Sequence, residues 1–321
     1  MVEDLDFERI VVSRNPASTR ARQGHRVLDR LQEVFAGRLH QVDTSEDERT
    51  NVERLAELLR AGDVVVPVGG DSTVTQAAGS VALRRDLGKL PLLPLPFGHA
   101  NQLALMLNSW FQYRRPVQIL RRGKTVPIHP LLFSYPERPA EEARLALFTI
   151  GIGLTGRAAL RFDAPSFRTN RISSVPLLRK VPETVAVARA LRETRPFSVD
   201  GRRRIEVLIA NGPRVAKHGR FGVGLPLQSF ALFELADKRP STLVPVFARF
   251  VVQSVQPAEV RSDASLTLSI EPIDGEAIFA QFDGHPFVVE PGEIVITRVA
   301  DPLYAVTTRR SLYADAEMAG T

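Results

Sequence analysis

The chain contains 321 residues, of which 44% are hydrophobic, and its formal net charge is +6. This length exceeds what one compact core usually holds, so the sequence predicts two domains. Cysteine is absent from the sequence, which excludes disulfides and thiolate metal sites and is typical of the reducing cytoplasm. The start MVEDLDFERI has no signal-peptide pattern, and no apolar run approaches the ~20 residues that cross a bilayer, so we expect a cytoplasmic protein.

The first 125 residues alternate strand-like and helix-like segments. Short apolar or β-branched runs begin at Arg9, Leu39, Val64 and Leu90. A helix-like stretch follows each run, and we place these helices before Gly37 and over 48–60, 74–85 and 101–108. The resulting β-α-β-α-β-α-β order predicts a parallel sheet with helices on both faces.

The stretch Val64–Thr73, VVVPVGGDST, ends a strand in two glycines, an aspartate and two hydroxyls. Three valines favour a strand that is buried on both faces, and Gly69 and Gly70 permit close approach of the backbone. Free N–H groups at the start of the next helix, with the positive end of its dipole, form an anion site, for which phosphate is the expected anion. The alternative is an ordinary turn in which Asp71 caps the helix.

A second loop of the same kind follows the next apolar run. It reads PLPFGHANQ from Pro94 to Gln102 and precedes the helix-like stretch LALML. Because the strand–loop–helix junctions of one βαβ series meet at one edge of the sheet, we expect both loops to face the same ligand.

From about Thr125 strands follow one another closely. They are predicted at 126–134, 143–151, 197–199, 204–211, 229–235, 264–270, 277–282, 287–289 and 294–299. Two helical stretches, 181–194 and 243–253, interrupt them. This spacing predicts a mostly antiparallel β-sandwich. Residues 314–321 carry no periodic apolar pattern and are predicted to be a disordered tail.

Three motifs in this order resemble the diacylglycerol kinase and sphingosine kinase catalytic family and, more distantly, the NAD kinases. They are Asn15-Pro16-Ala17-Ser18 after the first strand, the loop at Gly69-Gly70-Asp71 and the loop at Gly98. The resemblance implies a NAD kinase/diacylglycerol kinase-like α/β fold. It also implies a nucleotide-binding domain at 1–125, a β-sandwich lipid or substrate domain at 126–313, and an active site in the cleft between them.

The resemblance also implies an ATP site at the ends of the strands. Gly69, Gly70, Asp71 and Thr73 match the nucleotide loop of the family, and Gly98 and Asn101 match its second loop. With their neighbours, the candidate phosphate-binding residues are Asn15, Ser18, Gly69, Gly70, Asp71, Ser72, Thr73, Gly98, His99 and Asn101.

Asp283 is the candidate catalytic residue, in the stretch Gln281-Phe282-Asp283-Gly284-His285. The late Asp-Gly-Glu motif of the family falls here, and the resemblance implies that Asp283 is the general base that takes the proton of the lipid hydroxyl. The alternative is a plain Asp-Gly hairpin turn.

The chain departs from the family at several polar positions. Non-family residues stand at Ser72, His99, Ala100, Gln102 and His285, and the stretch Pro226–Glu234 lacks the Asp-Gly acids that support Mg²⁺ in bacterial relatives. Each departure removes a carboxylate or a small backbone position. We therefore expect Mg²⁺ with ATP but assign no metal ligand.

Positive charge is concentrated in two regions. Residues 168–204 form one, and the other contains Arg114, Arg115, Arg121, Arg122 and Lys124. Either region is solvated surface or a face that attracts anionic membrane or polyphosphate. Nucleic acid is not expected as a partner, since little aromatic interleaving accompanies the charges.

Taken together, the sequence predicts an ATP-dependent lipid kinase that phosphorylates the hydroxyl of a diacylglycerol-like lipid, in the cytoplasm and peripherally at the membrane. The alternative is a nucleotide- or phospholipid-binding protein on the same scaffold without transfer activity. A relative of the NAD kinases is the third interpretation, which the Asn-Pro-x-Ser start and the late Asp-Gly pair disfavour.

Overall fold

The computed structural model describes residues 3–18, 21–98, 101–107, 115–139, 143–164, 180–211, 214–215, 219–220, 230–239, 241–243, 245, 259–261 and 264–307.

The first part of the chain forms a parallel sheet with helices on both faces, as the sequence predicts. A short strand, β1 (Glu3–Asp4), precedes β2 (Arg9–Arg14), β3 (Leu39–Asp43), β4 (Asp63–Gly69) and β5 (Leu95–Pro96), and the last four pair in the order β3-β2-β4-β5. The helices are α1 (Ala21–Val34), α2 (Glu48–Leu58), α3 (Asp71–Leu83), α4 (Gln102–Met106) and α5 (Pro116–Arg122), with a 3₁₀ turn at Arg85–Leu87.

Burial on both faces explains the continuous apolar runs of the central strands. In β2, Val11 packs with α2 and α3 on one face, while Val12 packs with α1 on the other. Val65 and Val66 of β4 divide in the same way, because successive side chains of a strand point to opposite faces. All of β4 is buried. It therefore forms the centre of the sheet and delivers Gly69 to the sheet's carboxyl edge.

The second part of the chain contains two six-stranded antiparallel sheets. Their strands are β7 (Leu131–Ser134), β8 (Arg144–Ala146), β9 (Thr149–Gly153), β10 (Phe197–Val199), β11 (Arg202–Arg204), β12 (Glu206–Ala210), β15 (Phe230–Leu235), β16 (Glu259–Arg261), β17 (Ser265–Pro272), β18 (Ile278–Phe282), β19 (His285–Val289) and β20 (Gly292–Arg298). A separate pair contains β13 (Arg214–Val215) and β14 (Gly219–Arg220). The helices α6 (Leu154–Asp163) and α7 (Lys180–Glu193) pack together.

One shared core joins the two sheets. Their orders are β11-β10-β17-β20-β7-β8 and β16-β15-β12-β9-β18-β19. Phe133 of β7 meets Phe282 of β18 edge to face, with ring centroids 5.1 Å apart, a preferred arrangement of aromatic pairs. Phe282 in turn stacks on Phe287 at 4.2 Å. The predicted β-sandwich is confirmed, and this aromatic group supports the β18–β19 hairpin that carries Asp283.

A late strand returns to the first sheet. It is β21 (Leu303–Thr307), and it pairs with β6 (Lys124–Ile128), which lies between β1 and β21 in a three-stranded sheet. The N–H of Leu92 donates to Tyr304 O at 2.7 Å, and the N–H of Val306 donates to Leu92 O at 2.8 Å. This strand was not predicted from the sequence. The boundaries 1–125 and 126–313 stay predictions.

Several predicted boundaries are wrong. The segments 126–134, 143–151 and 204–211 each divide into two strands, because the chain leaves one sheet and enters another at His129-Pro130, Leu147-Phe148 and Ile205. The helices α5 and α6 were not predicted. Most of the predicted helix 243–253, and the tail 314–321, lie outside the described residues. Within the described residues, no helix is long and apolar enough to span a bilayer.

Candidate functional site

The junction between β4 and α3 requires glycine because the backbone is crowded there. A Cβ on Gly69 would lie 2.2 Å from Thr73 Oγ1, and a Cβ on Gly98 would lie 2.1 Å from Gly70 Cα. The N–H of Phe97 donates to Gly69 O at 2.9 Å. The two loops that the sequence predicts to face one ligand therefore touch each other, and close packing rather than a left-handed backbone selects Gly69, Gly70 and Gly98.

Asn101 fixes the shape of the second loop. Its Nδ2 donates to Gly98 O at 2.8 Å, and its Oδ1 accepts from Gly98 N at 2.9 Å. Its backbone is left-handed, with φ of 52°, a conformation that asparagine tolerates better than most residues. Because both polar atoms of its side chain bond to the backbone of Gly98, the role of Asn101 is to hold the shape of this loop. The neighbouring candidate His99 lies outside the described residues.

Asp71 joins the two loops. Its Oδ1 accepts from Gln102 N at 2.6 Å, and its side chain is buried. The helix N-cap is Gly70, so the interpretation of Asp71 as a simple capping residue is wrong. Burial raises the pKa of Asp71 to about 7, the Gln102 N–H opposes this rise, and the negative charge of Asp283 adds to it. The site thus holds a carboxyl group that changes charge near neutral pH.

Two buried polar atoms at the junction have no hydrogen-bond partner among the described residues. They are Thr73 Oγ1 and Gln102 Oε1, and Thr73 is 1% exposed. Buried polar atoms are normally hydrogen-bonded, so each such atom needs an explanation. Both follow the carboxyl edge of the sheet, Thr73 in the first turn of α3 and Gln102 in the first turn of α4. A ligand at this edge would supply the missing contacts.

The loop after β2 lies beside the same edge. The N–H of Asn15 donates to Val68 O at 3.1 Å, which places the loop against the end of β4. Asn15 Oδ1 accepts from Ala17 N at 2.9 Å, and Ser18 N donates to Asn15 O at 3.2 Å. This local turn occupies the acceptor of the Asn15 amide, so the Nδ2 donor is the group it can offer to a phosphate.

Asp283 occupies the turn between β18 and β19, so the Asp-Gly hairpin interpretation describes its backbone correctly. Its φ is 49°, and Phe282 pairs with His285 across the turn. The side chain is buried and points at the segment between β8 and β9. Its Oδ1 accepts from Phe148 N at 2.8 Å and Thr149 N at 2.9 Å, and its Oδ2 accepts from Leu147 N at 2.6 Å.

A fourth donor reaches Asp283 from the first part of the chain. Thr75 Oγ1 on α3 donates to Asp283 Oδ2 at 2.9 Å. A carboxylate offers about four acceptor positions, and all of them are used here. Burial raises the pKa of Asp283, and these four donors oppose the rise because they favour the charged form. To accept a proton, Asp283 must first release one of its donors.

Glu48 and His285 form a second contact between the first part of the chain and the β18–β19 hairpin, which was not predicted from the sequence. His285 Nδ1 lies 2.5 Å from Glu48 Oε1, which belongs to the first turn of α2. The pKa of Glu48 is lowered, mainly by this imidazole and further by the positive charge of Arg144. A pattern in either segment alone gives no sign of the pair, since each residue is an unremarkable polar side chain in its own sequence context.

The protein side chains offer no ready-made metal centre in the part of the chain that the structure describes. Within those residues, no group of three or more His, Cys, Asp or Glu side chains is placed to hold a metal ion. Glu234, which lies near the expected Mg²⁺-supporting position, instead accepts from Arg204 Nη2 at 2.7 Å.

The two basic regions differ in their surroundings. Arg121 and Arg122 lie in the last turn of α5, where positive charge stabilises a helix without any partner. Exposed arginines on α7 are Arg189 and Arg192, and the exposed apolar side chains of this helix pair include Leu160 on α6 and Val185 on α7. Arg114, Arg168, Arg171 and Arg179 lie outside the described residues.

Comparison with known proteins matches the first part of the chain to a family model. The family model of the diacylglycerol kinase catalytic domain matches residues 9–132. No curated protein matches the chain. Among solved structures, two from Bacillus anthracis str. Sterne are similar, a diacylglycerol kinase with a TM-score of 0.60 and a putative diacylglycerol kinase with a TM-score of 0.61. Each is 15% identical, and each alignment covers 94% of this chain and 98% of the other. At 15% identity, the likeness to these structures shows that the chain shares their fold.

A yeast NADH kinase complexed with NADH is also similar, with 11% identity, a TM-score of 0.49, and coverage of 97% of this chain and 86% of that one. The family-model match and the likeness to the Bacillus anthracis structures confirm the predicted resemblance to the diacylglycerol kinase catalytic family and the predicted fold of α/β and antiparallel parts.

Proposed function

We propose, from the premise that residues 9–132 belong to the diacylglycerol kinase catalytic domain family, that this chain is an ATP-dependent lipid kinase. It transfers the γ-phosphoryl group to the hydroxyl of a diacylglycerol-like lipid. The phosphates lie at the junction of β4 and α3, and the acceptor hydroxyl lies between this junction and the β18–β19 hairpin.

One observation carries the proposal. The buried Thr73 Oγ1 has no partner among the described residues, and it stands in the first turn of a 13-residue helix. Free N–H groups and the helix dipole favour an anion there. A phosphate oxygen would accept the hydrogen bond that Thr73 Oγ1 leaves unmade, and the close packing of Gly70 against Gly98 holds the two loops together beside it. These features support a phosphate-binding site at this junction.

The mechanism needs a group that takes the proton of the acceptor hydroxyl. Asp283 is the proposed general base, because its carboxylate faces α3 across the cleft. Three of its donors are backbone N–H groups, which cannot rotate away. Thr75 Oγ1 can rotate, so the acceptor hydroxyl would replace Thr75 at Asp283 Oδ2. Asp71 would accompany this step as a second carboxyl that is partly ionised near neutral pH.

Mg²⁺ is part of the proposal as a companion of the nucleotide. When bound, it neutralises charge that develops on the transferring phosphoryl group. Mg²⁺ is often held by one or two carboxylates together with substrate phosphates, so a dedicated protein cluster is not required. The identity of its ligands in this chain is not assigned.

A second candidate function is binding of a nucleotide or a phospholipid without transfer. The saturated carboxylate of Asp283 favours it, since a residue with four donors serves equally well as a structural anchor. The neutral Gln102 and the basic His285, at positions where the family carries acids, favour it too.

We further propose that the cytoplasmic protein meets anionic membrane peripherally through the α6–α7 face. This face combines the exposed cations Arg189 and Arg192 with the exposed apolar side chains Leu160 and Val185. Basic side chains are attracted to anionic lipid, and apolar ones insert at the interface.

The test is an assay of γ-phosphate transfer from ATP with purified protein, run on a diacylglycerol, a ceramide, a sphingoid base and NAD, with and without Mg²⁺. A labelled lipid supports the kinase, and labelled NAD supports the NAD kinase interpretation. Binding of ATP by calorimetry without any labelled product would favour the binding protein.

A further inference from the structure

The β18–β19 hairpin is attached to the nucleotide domain at two points. At the first, Thr75 on α3 donates to Asp283. At the second, His285 meets Glu48 on α2. Only Gly284 separates Asp283 from His285 on the hairpin turn. A contact that holds His285 in place therefore also restrains the carboxylate of Asp283.

Hydrogen bonds extend the second point into α3. The side chain of Gln76 helps to lower the pKa of Glu48, and Gln76 Oε1 accepts from Asn51 Nδ2 at 3.2 Å. Asn51 and Glu48 lie on α2, while Gln76 follows Thr75 on α3. The helix that donates to Asp283 and the helix that holds His285 are thereby linked.

The charges around His285 come from four elements. Glu48 on α2, Asp71 on α3 and Asp283 on its own hairpin are acidic, and Arg144 on β8 is basic. Arg144 also lies 5.2 Å over the ring of Phe287. Three carboxyl groups and one guanidinium therefore surround the imidazole. Without its proton, His285 would lose the charge attraction to Glu48 but keep its place in the strand.

We propose that Glu48 and His285 are positioning residues, and that their ion pair keeps the Asp283 carboxylate seated on the amides of residues 147–149 while His285 is protonated. The side chains of the pair are 48% and 30% exposed, so solvent weakens the attraction and the effect is modest. The consequence for turnover rests on the proposed function, whereas the seating of Asp283 does not.

Hydrogen exchange of the amides of Leu147, Phe148 and Thr149 reports the seating directly, because all three donate to Asp283. Imidazole titrates between about pH 5 and 8, so the full chain is compared at pH 6 and pH 8.5 after correction for the intrinsic pH dependence of exchange. We expect two- to fivefold faster corrected exchange at pH 8.5. Equal corrected exchange at both pH values would overturn the proposal.

Four variants separate charge from structure. His285→Lys keeps a positive charge at both pH values and should remove the pH dependence, with slow exchange throughout. In His285→Gln and in Glu48→Gln, the three amides should exchange fast at both pH values. Glu53→Gln is the matched control, since it breaks the exposed Arg49–Glu53 pair on the same helix and should behave as wild type. If Glu48→Gln matches Glu53→Gln, the pair does not position Asp283.

Activity then tests the consequence for the reaction. The alkaline limb of the kcat profile should move to higher pH in His285→Lys, with KM for the lipid unchanged. Unchanged profiles would overturn the positioning role in turnover. If the exchange results hold and no phosphate transfer is found in any variant, the positioning of Asp283 stands and the proposed kinase function fails. If transfer occurs and exchange is independent of pH, the proposal fails and the kinase function stands.

Discussion

The hydroxyl of Thr75 donates to Asp283 Oδ2 at 2.9 Å, although the two residues are 208 positions apart in the chain. This bond connects the helix that starts at the proposed phosphate cradle with the hairpin that carries the proposed base. It is also the donor to Asp283 that belongs to a side chain, while the other three are backbone groups. Thr75 is therefore the place to separate the catalytic role of Asp283 from its structural role.

Thr75→Val should remove the rotating donor and leave the three backbone donors in place. We expect a stability loss of about 1 kcal/mol from the lost hydrogen bond, measured by urea unfolding. Turnover should rise, because the acceptor hydroxyl no longer competes with Thr75 for Asp283 Oδ2. Thr75→Ser retains the hydroxyl and should behave as wild type. Equal turnover in wild type, Thr75→Val and Thr75→Ser would contradict the exchange of donors at Asp283.

Asp283→Asn should lower stability as well as turnover. Both oxygens of the Asp283 carboxylate accept from backbone N–H groups. In Asp283→Asn one of these oxygens becomes an NH₂ group, so at least one buried N–H donor loses its acceptor at a cost of about 1–3 kcal/mol. Turnover should fall roughly 10²–10⁴-fold, since the amide cannot take the proton. Unfolding and nucleotide calorimetry on the same sample distinguish the two losses. Full activity in a folded Asp283→Asn variant would place the base elsewhere.

Asp71 should make stability depend on pH. Its pKa is about 7 in the folded chain, against an ordinary value of 3.8 for a solvated aspartate, so the folded protein binds one more proton than the unfolded chain between these values. Stability should therefore fall as pH rises from about 4 to 7 and level off above the folded pKa. Asp71→Asn keeps the acceptor for Gln102 N and should flatten this dependence.

The pKa of Glu206, raised to about 8 by burial, contributes a slope of the same sign in both proteins. The free energy of unfolding is measured with urea at pH 5 and pH 8 for wild type and Asp71→Asn. The difference between the two proteins in its pH dependence gives the contribution of Asp71. Parallel stability curves for the two proteins would show that Asp71 is ionised throughout.

The α6–α7 face should bind anionic vesicles in a salt-dependent way. We expect binding to fall steeply between about 50 and 300 mM salt, because charge attraction between exposed groups is screened on the scale of ~10 Å at 0.1 M. Arg189→Glu with Arg192→Glu should abolish sedimentation with such vesicles. Arg30→Glu, an exposed change on α1, is the control for net charge. Salt-independent binding, or equal loss in the control, would leave these arginines as solvated surface.

Local patterns predicted the parts of the fold that depend on local chemistry. The valines of β4 reflect strand burial and the glycines at Gly69 and Gly70 reflect backbone crowding. The sheet and the meeting of the two glycine loops could therefore be predicted from the sequence. The return of β21 to Leu92 could not, because the pairing joins two short apolar runs without any local sign of their partner. The split at His129-Pro130 was missed for the same reason, since only the two sheets define where the chain changes sheet.

The candidate site, like the fold, could be predicted only where local sequence patterns identify it. Asp283 was recognisable from its Asp-Gly turn and the family motif, but its four hydrogen bonds depend on Thr75 and on backbone groups of a distant segment. Glu48 was assigned only as the start of a helix. Its contact with His285 exists because the fold brings α2 to the hairpin. Contacts of this kind depend on tertiary geometry rather than on residue pattern.

The most direct test of the kinase proposal is transfer of labelled γ-phosphate from ATP to a diacylglycerol by wild type, Gly98→Ala and Gly79→Ala. In Gly98→Ala the new Cβ would lie 2.1 Å from Gly70 Cα, whereas in Gly79→Ala it would lie 3.5 Å from Val52, an ordinary contact. We predict labelled lipid with wild type and Gly79→Ala. Gly98→Ala should bind ATP at least about tenfold more weakly, or about 1.4 kcal/mol, and should form correspondingly less product. Absence of labelled lipid with wild type, or equal product with Gly98→Ala and Gly79→Ala, would contradict a phosphate cradle at this junction that serves a lipid kinase.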